Sequence, residues 1–336
     1  MFKDIVFTAG VDDSFKESVF RFIREWDSYS LEIELKTSGT TGVPKSFKFN
    51  KSQLEASAKM TGRFFDFKQG ESLLLNLSPD YVAGKLMIVR AIVHNMNLIV
   101  APLKSDPFAE LNELPFKIKL AAFVPMQIHE ICSNENSLRI FNQLENVLIG
   151  GGALNKNLED KIALQNPKCF ATFGMTETLT HFALRPVDGQ TDFYTCLPGV
   201  QISVDNTGCI CIEKNEIVSQ KIVTHDVVEL LDKNSFRWLG RSDNLINSGG
   251  IKIQPELIEN KIAHLIPVPF YVTSKKDERL GEKVVLILES EVSPENEKDL
   301  LLQLKNELPS YHAISEIICL NKIERTDNGK IIRRKF

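Results

Sequence analysis

The stretch TSGTTGVPKSF, at residues 37–47, decides how this chain is interpreted. Residues 39–46 read GTTGVPKS, one residue away from the Walker A phosphate loop, GxxxxGK followed by Ser or Thr. The difference is Pro44, which stands where that loop has its second glycine and which has no N–H group to offer a phosphate. The local sequence around the loop decides whether this is a damaged Walker A motif or a different phosphate loop.

A Walker A loop joins a buried parallel strand to the first turn of a helix. Here LEIEL before the loop and SFKFN after it both alternate apolar and polar residues, which predicts two half-exposed strands. The next helix then begins only near Asn50 or Ser52, so no helix dipole lies at Lys45. The flanking pattern and Pro44 together exclude a Walker A loop.

The composition of the loop still suits an anion. Hydroxyl groups, two glycines and a lysine lie within nine residues, and such loops bind phosphate through side-chain donors and exposed backbone N–H groups. The residues are Thr37, Ser38, Gly39, Thr40, Thr41, Gly42 and Lys45. A surface turn rich in Ser, Thr and Gly has the same composition, so the loop by itself leaves both interpretations open.

The N-terminal two-thirds of the chain alternates short apolar runs with helical periodicity. Buried strands are predicted at residues 72–77, 97–101, 118–124, 146–149 and 169–173, and helices at 82–94 and 155–164. Alternating strands and helices predict an α/β fold with a largely parallel, covered sheet.

Beyond residue 190 the apolar residues recur with period two around the turn DNTG, which predicts antiparallel hairpins. From Pro255, predicted helices at 256–265 and 295–307 and strands at 268–273, 283–289 and 315–320 form a small α+β unit. The glycine-rich stretch GRSDNLINSGG separates the two patterns. We therefore predict domains at 1–242, with a β-rich part at about 190–240, and at 243–336.

Composition and charge narrow the functional class. The formal net charge is -4, so no global field favours nucleic acid, and no apolar run reaches the length of about 18 residues that spans a bilayer. The N-terminus has no signal-peptide pattern. The six scattered cysteines predict reduced thiols, and the chain is expected in the cytoplasm.

Three further motifs follow the loop in order: TFGMTE at 172–177, GRSDNLINSGG at 240–250 and RTDNGK at 325–330. Together with TSGTTGVPK they resemble the signature of the adenylate-forming superfamily, which includes acyl- and aryl-CoA ligases, luciferases and peptide-synthetase adenylation domains. The resemblance implies an α/β fold of a large N-terminal domain and a small, mobile C-terminal α+β domain. It also implies an AMP-forming ligase that uses ATP, Mg²⁺ and coenzyme A.

The segments PDYVAGKLMIVRA and MTETLTHFALRPVDG resemble one subgroup, the short o-succinylbenzoate–CoA ligases of menaquinone biosynthesis. The alternatives are another small aryl- or acyl-CoA ligase and an adenylation enzyme that loads a carrier protein. A non-catalytic nucleotide-binding homologue is disfavoured because the motif lysines, acids and arginine are intact. Only about 36 residues precede the loop, fewer than is usual in this superfamily, so a reduced N-terminal subdomain is expected. A homodimer would cover the side of the sheet that this opens.

The resemblance also implies roles for single residues. The loop at 37–45 would hold the β- and γ-phosphates, and Lys330 would bridge the reacting carboxylate and the α-phosphate. Glu177 would bind Mg²⁺ and Thr176 the α-phosphate. Phe173 and Gly174 would contact the nucleotide, and Gly151, in the run of three glycines at 150–152, would let adenine approach the backbone closely.

Asp226 matches the aspartate that binds the ribose hydroxyls, although His225 replaces the usual glycine before it, and Arg241 would complete that contact. Asp243 resembles the hinge residue, and Gly249 and Gly250 would leave room for the pantetheine arm. The acid needs a cation for its unreacted carboxylate. Four candidates, which spacing does not rank, are Lys85, Arg90, His181 and Arg185.

Overall fold

The computed structural model describes residues 4–36, 46–152, 154, 156–213, 215–290, 294–325 and 331–336. Within these ranges the helices are α1 (Asp13–Asp27), α2 (Lys51–Phe65), α3 (Val82–Val93), α4 (Pro125–Ser133), α5 (Glu135–Phe141), α6 (Lys156–Ala163), α7 (Pro255–Ile262) and α8 (Pro294–Glu307). The strands are β1 (Ile5–Phe7), β2 (Glu32–Lys36), β3 (Ser46–Asn50), β4 (Ser72–Leu75), β5 (Asn97–Val100), β6 (Ile118–Phe123), β7 (Asn146–Ile149), β8 (Lys168–Gly174), β9 (His181–Pro186), β10 (Tyr194–Cys196), β11 (Ile202–Val204), β12 (Cys209–Ile212), β13 (Ile222–Leu230), β14 (Ser235–Arg241), β15 (Ile246–Ser248), β16 (Ile251–Ile253), β17 (Phe270–Asp277), β18 (Gly281–Glu289) and β19 (Glu316–Leu320).

One large sheet contains twelve strands of the described chain, in the order β1-β5-β4-β6-β7-β8-β9-β10-β14-β13-β12-β11. Neighbours from β1 to β8 are parallel. Neighbours from β8 to β11 are antiparallel. Both predicted patterns are therefore confirmed, with the change of direction at the β8–β9 pair.

Two helical layers cover the parallel half of this sheet. Successive residues of β4 show how, because Leu73 and Leu75 belong to the core beneath α1, α2 and α3, whereas Leu74 belongs to the core beneath α4, α5 and α6. All three leucines are at most 1% exposed. Burial on both faces explains why the parallel strands are continuous apolar runs in the sequence.

The hairpin of β2 and β3 is a separate two-stranded sheet, and it brackets the loop at 37–45. Ile33 and Leu35 are fully buried while Glu32 and Glu34 are exposed, as the alternation predicted. Helix α2 begins at Lys51, and the Asn50 backbone N–H donates to Gln53 Oε1 over 2.9 Å. The prediction that the loop joins two strands rather than a strand and a helix is confirmed.

The C-terminal part forms a second sheet of β15 to β19, packed against α7 and α8. Strand β17 begins at Phe270 rather than at the predicted residue 268, because Pro267 and Pro269 cannot donate to a strand ladder. Strand β19 pairs with β18 in parallel. The predicted fold class, a large α/β part followed by a small α+β part, is confirmed.

The two sheets meet through α7, which packs against β14. Asn244 Nδ2 donates to Glu256 Oε1 over 2.5 Å across this contact. Gly240, with φ of 147°, faces the same carboxylate so closely that a Cβ atom would lie 2.4 Å from Glu256 Oε2. The exact boundary between residues 242 and 243 stays a prediction.

Two general expectations can be compared with the described chain. All six cysteines are free thiols. None of the described helices has the length and apolar character needed to cross a membrane.

Candidate active site

The carboxyl end of β8 leads into a tight turn that presents Thr176 and Glu177. A single 3-10 turn, Thr176–Thr178, follows the strand. The buried Thr178 hydroxyl donates to Met175 O over 2.9 Å and to Thr180 O over 2.8 Å. Leu179 has φ of 62°, which is rare for a residue with a side chain and is held here by that network. Glu177 is exposed, and no described residue pairs with its carboxylate.

Gly174 is required at the start of this turn. It pairs with His181 across the β8–β9 ladder, where the register shifts. A Cβ atom on Gly174 would lie 2.5 Å from His181 Cα and 2.4 Å from Thr180 O. The missing side chain therefore allows β9 to start directly beside the turn that carries Glu177.

Phe173 lies in an aromatic cluster rather than on an open surface. Its ring contacts those of Phe182, Tyr194 and Phe236 at centroid distances of 5.5, 5.1 and 5.1 Å, all edge-on. The ring is only partly buried, so packing and contact with a base are compatible. Stacking on adenine stays a prediction.

The three glycines after β7 form a turn that packs closely against β8. Gly151 has φ of 82°, so a turn is present. A Cβ atom on Gly150 would lie 2.3 Å from Thr172 Oγ1, so the backbone also approaches β8 closely. Gly151 and Gly152 are exposed beside the carboxyl ends of the parallel strands, where open α/β sheets bind ligands.

Asp226 and Arg241 are brought together by strand register, since they are direct partners across β13 and β14. Arg241 Nη1 lies 3.8 Å from Asp226 Oδ1, and Trp238 Nε1 donates to that same oxygen over 3.1 Å. Burial raises the pKa of Asp226, partly opposed by the charge of Arg241. The sequence reasoning missed Trp238, although its i, i−12 position across a predicted hairpin was a usable signal.

Asp243 extends this pair into a chain of charges. Its carboxylate accepts from Arg241 Nη2 over 2.6 Å and lies 3.0 Å from His225 Nδ1. His225, the departure from the superfamily pattern, thus contacts the predicted hinge residue. Gly249 and Gly250 form the turn between β15 and β16 with φ of 59° and 84°, and both are exposed.

Two of the four candidate acyl contacts, Arg90 and His181, are buried. Arg90, on α3, is 3% exposed, and no described residue accepts a hydrogen bond from its guanidinium or pairs with it. Burial lowers the pKa of Arg90 to about 10. His181 is 9% exposed, its Nε2 has no partner in the described chain, and burial and the charge of Arg90 lower its pKa well below the usual value.

The other two candidates are engaged elsewhere. Lys85 Nζ donates to Glu34 O over 2.8 Å, lies 3.6 Å from Glu25 Oε2 and sits 5.1 Å from the centre of the Phe22 ring. It therefore ties α3 to α1 and β2. The structure gives Lys85 these packing contacts, and its place among the acyl candidates stays a prediction.

Arg185 forms a partly buried, two-pronged ion pair with Glu159 of α6 and also donates to Thr191 O over 3.2 Å. Both partners are 14% exposed. Its guanidinium lies 5.7 Å from the centre of the Tyr194 ring. Arg185 therefore joins β9 to α6, and its place among the acyl candidates stays a prediction.

The phosphate loop, with Thr37, Ser38, Gly39, Thr40, Thr41, Gly42 and Lys45, and the lysine Lys330 lie outside the described residues. Their flanks are described. Lys36 and Ser46 pair at the end of the β2–β3 hairpin. Arg325 and Ile331 form an antiparallel bridge around 326–330, with Arg325 Nη1 2.7 Å from Glu289 Oε2.

Comparison with known proteins identifies the family. Residues 35–216 match the model of the AMP-binding enzyme family, which covers more than half of the chain. A solved acyl-CoA synthetase (AMP-forming)/AMP-acid ligase II-like protein from Dyadobacter fermentans is 32% identical, with a TM-score of 0.66, and covers 96% of this chain and 94% of its own. The o-succinylbenzoate CoA synthetase of Bacillus subtilis, solved with its acyl-adenylate, has the same fold, with a TM-score of 0.72 at 18% identity over 89% of this chain and 66% of its own.

Curated relatives are more distant. The 2-succinylbenzoate–CoA ligase of Escherichia coli K12 is 26% identical over 79% of this chain, which spans 60% of that relative's length. A probable 2-succinylbenzoate–CoA ligase of Mycobacterium tuberculosis is 26% identical over 94% of this chain and 87% of its own. On the strength of the family match and the Dyadobacter structure, this chain is a member of the AMP-binding enzyme family.

Proposed function

We propose that the protein is an ATP-dependent CoA ligase that activates o-succinylbenzoate through an acyl-adenylate, as in menaquinone biosynthesis. Family membership and the relatives' names support the reaction type. The observation that carries the choice of acid is Arg90, a buried guanidinium without a counter-ion in the described chain. Another small aryl- or acyl-CoA ligase, or a carrier-loading adenylation enzyme, is the alternative.

Arg90 points to an acid with a second anionic group for an energetic reason. Moving an arginine side chain from water into the protein interior costs several kcal/mol of free energy, unless an anion or several acceptors replace its hydration. Arg185, a second arginine of the large α/β part, has such a partner in Glu159. A dicarboxylic acid would supply the missing anion with one carboxylate while the other reacts.

On the nucleotide side, Asp226 is proposed to accept hydrogen bonds from both ribose hydroxyls, with Arg241 holding its carboxylate in place. Trp238 Nε1 donates to Asp226 Oδ1 over 3.1 Å, which fixes that carboxylate before a ligand arrives. Thr176 would donate to the α-phosphate, and Phe173, Gly174 and Gly151 would border the adenine. A side chain at Gly150 would collide with Thr172 Oγ1, and one at Gly174 would collide with the backbone of Thr180 and His181.

Glu177 is the proposed ligand of Mg²⁺. The ion fits a single exposed carboxylate, because Mg²⁺ takes one or two protein carboxylates and completes its shell with phosphate oxygens and water. When bound, it would neutralise charge that develops on the phosphates. Among the described residues no group of three or more metal-ligating side chains exists, which agrees with a site completed by the nucleotide.

The reaction is proposed to proceed in two steps. In the first, the acid's carboxylate attacks the α-phosphate and pyrophosphate leaves, with Lys45 and the loop holding the leaving group and Lys330 bridging carboxylate and α-phosphate. In the second, the thiolate of coenzyme A attacks the acyl carbon and AMP leaves. Rotation about Asp243 would replace Lys330 by the exposed Gly249–Gly250 turn, whose lack of side chains leaves room for pantetheine.

Two further proposals concern the environment of the protein. A reducing, cytoplasmic location agrees with six free thiols, of which Cys169, Cys196, Cys209 and Cys211 are buried. A homodimer stays a proposal that sedimentation would test.

The test is ATP–pyrophosphate exchange with Mg²⁺ across a panel of carboxylic acids, followed by thioester formation with coenzyme A. o-Succinylbenzoate is expected to stimulate exchange well above benzoate, succinate or a fatty acid. Lys330→Ala should lose exchange yet still convert supplied acyl-adenylate into thioester. If a monocarboxylic acid gave the fastest pyrophosphate exchange, the protein would be another aryl- or acyl-CoA ligase. If the thioester formed only on a carrier protein, the protein would be a carrier-loading adenylation enzyme.

A further inference from the structure

The carboxylate of Asp243, the predicted hinge residue, is held by side chains from two neighbouring strands of the large sheet. Arg241, the last residue of β14, donates from Nη2 to Asp243 Oδ2 over 2.6 Å. His225, in β13, lies with Nδ1 3.0 Å from the other carboxylate oxygen, Oδ1. Both oxygens are therefore engaged by residues of the large α/β part.

The contact from β13 depends on a departure from the superfamily pattern. His225 stands directly before Asp226, where that pattern has glycine, and a glycine has no side chain that could reach Asp243. The His225 side chain is 69% exposed, so packing in a core does not account for it. Its polar contacts within the described chain are with Asp243 and the Ser242 hydroxyl.

The geometry fixes which ring nitrogen of His225 carries a proton. An ionised carboxylate only accepts hydrogen bonds, so Nδ1 is the donor over the 3.0 Å to Asp243 Oδ1. A neutral imidazole protonated on Nδ1 meets this requirement, and so does imidazolium. Burial opposes the ionisation of Asp243, but the hydrogen bond and charge of Arg241, with a smaller contribution from His225, hold its pKa below the usual value.

We propose that His225 is a positioning residue that fastens the Asp243 carboxylate to β13 and thereby favours one orientation of the small C-terminal part over the other. This rests on the proposed function, in which the two half-reactions use two orientations related by rotation about Asp243. His225 acts through Asp243 and contacts neither the nucleotide nor the acid.

The physical reason lies in the backbone of the hinge. Rotation about the N–Cα bond of Asp243 swings its side chain relative to the preceding strand, so a carboxylate held by β13 and β14 resists this rotation. On the other side of Asp243, Asn244 Nδ2 donates to Glu256 Oε1 of α7 over 2.5 Å. The hinge turn is therefore attached to the large sheet through Asp243 and to the small part through Asn244.

The size of the effect follows from exposure. His225 and Asp243 are 69% and 46% exposed, so water competes for their contact. Exposed ion pairs change an equilibrium constant by about 1.5- to 5-fold. A contact of this strength biases the hinge without locking it, as an enzyme that alternates between two orientations requires.

The experiment compares three side chains at position 225. The amide nitrogen of Asn reaches the position of Nδ1 and can donate to Asp243. Asp has the same shape without a donor and adds a like charge, and Ala offers no contact. His225→Asn is therefore the conservative variant, expected to behave as the wild type.

Tryptic cleavage after Arg241, quantified by mass spectrometry, reports on the hinge directly. Cleavage of a native protein follows the population in which the cut segment is open. His225→Asn should match the wild type within about 2-fold, His225→Ala should be cut about 2- to 5-fold faster, and His225→Asp faster still. Cleavage after Lys233, exposed in the turn between β13 and β14, is the internal control and should not change.

The half-reactions provide the second readout. ATP–pyrophosphate exchange with o-succinylbenzoate measures adenylation, and conversion of supplied acyl-adenylate measures thioester formation. Since each needs a different orientation, His225→Ala should speed one about 2- to 5-fold and leave the other unchanged or slower. Equal losses in both would assign His225 a merely structural role and overturn the inference.

The partner is tested by repeating His225→Ala in an Asp243→Ala background, where it should alter neither cleavage nor the ratio of the half-reactions. If the effect persists there, or if His225→Ala is cut like the wild type, the inference fails while the proposed function stands. If the wild type forms an acyl-adenylate with no acid of the panel, the proposed function fails, and cleavage after Arg241 still decides whether His225 holds the hinge.

Discussion

Arg90 is buried and Arg185 is partly buried, both in the large α/β part, yet their surroundings are opposite. Arg185 reaches α6, in one helical layer, where Glu159 holds it with two contacts and Tyr194 lies beneath it. Arg90 lies on α3, in the other layer, and no described carboxylate or carbonyl accepts a hydrogen bond from its guanidinium. The first arrangement is complete without a ligand and the second is not.

This difference separates structural from functional charge. A buried ion pair contributes little net stability, but removing one partner leaves a costly charge behind. A buried charge that has no partner in the folded chain already carries that cost, and the cost is recovered when an anion binds. The comparison therefore predicts opposite consequences for the same substitution at the two positions.

The largest effect is expected for Arg90→Met, which keeps much of the side-chain volume and removes the charge. We expect kcat/KM for o-succinylbenzoate to fall about 30- to 1,000-fold, the loss of a charge-assisted contact to a carboxylate. The melting temperature should stay equal or rise, because an unpaired buried cation is removed. Thioester formation measures kcat/KM, and thermal unfolding measures the melting temperature. A fall in both quantities would show that Arg90 stabilises the fold, as is proposed for Arg185.

Arg185→Met should show the reverse. It leaves Glu159, only 14% exposed, without its cation, so the free energy of unfolding should fall by about 3 kcal/mol. Activity per folded molecule should be retained. Urea unfolding of the single variant and of Arg185→Met combined with Glu159→Leu provides the check, since the double variant should recover most of the loss. If the Arg185→Met variant were stable but turned over slowly, Arg185 would instead be a contact of the acid.

Asp226 extends the comparison to a buried acid. The charge of its carboxylate is only partly balanced by Arg241, whose Nη1 lies 3.8 Å from Asp226 Oδ1. Burial raises its pKa in the folded state above that of the unfolded chain, so stability is lost as the pH rises from the unfolded pKa to the folded pKa, and the full cost is present above the folded pKa. That cost fades as the pH falls through the folded pKa and is absent below the unfolded value. Asp226→Asn should therefore stabilise the protein at pH 7 but not near pH 4.

The same variant should raise the KM for ATP about 10-fold, since an amide accepts ribose hydroxyls less well than a carboxylate. Urea unfolding across this pH range and initial rates at varied ATP measure the two effects. Equal stabilisation at both pH values would show that the pKa of Asp226 is the same in the native and in the unfolded state.

Much of the fold could be predicted because the decisive signals are local. Alternation in LEIEL and SFKFN reports burial on one face, and it correctly excluded a helix after the loop. Helix α1 was not predicted, although Phe15, Val19, Phe22 and Trp26 recur at helical spacing and Asp12 caps it by accepting from Phe15 N over 2.8 Å. That signal was present and unused.

The site was less predictable because its electrostatics are not local. Arg185 and Glu159 are 26 residues apart, and Lys85 contacts Glu34 51 residues away, so no spacing rule could reveal that both cations are occupied. Asp226 and Arg241 were predicted together from motifs, and register shows them adjacent. Which arginine lacks a partner in the described chain depends on the whole packing, which the spacing of residues in the sequence does not reveal.

The smallest effect is expected at Arg237, which tests whether burial rather than pairing drives the comparison. Arg237 Nε lies 2.9 Å from Asp192 Oδ2, Nη2 donates to Asp192 Oδ1 over 3.3 Å, and Nη1 pairs with Glu229. Arg237 therefore has more partners than Arg90. Its side chain is 35% exposed and its partners are 65% and 53% exposed, so water replaces any contact that is lost. Arg237→Gln should leave both the melting temperature and turnover unchanged within error, at low and at high salt. A clear loss of stability would mean that the number of partners matters more than their burial, and the contrast between Arg90 and Arg185 would then need another cause.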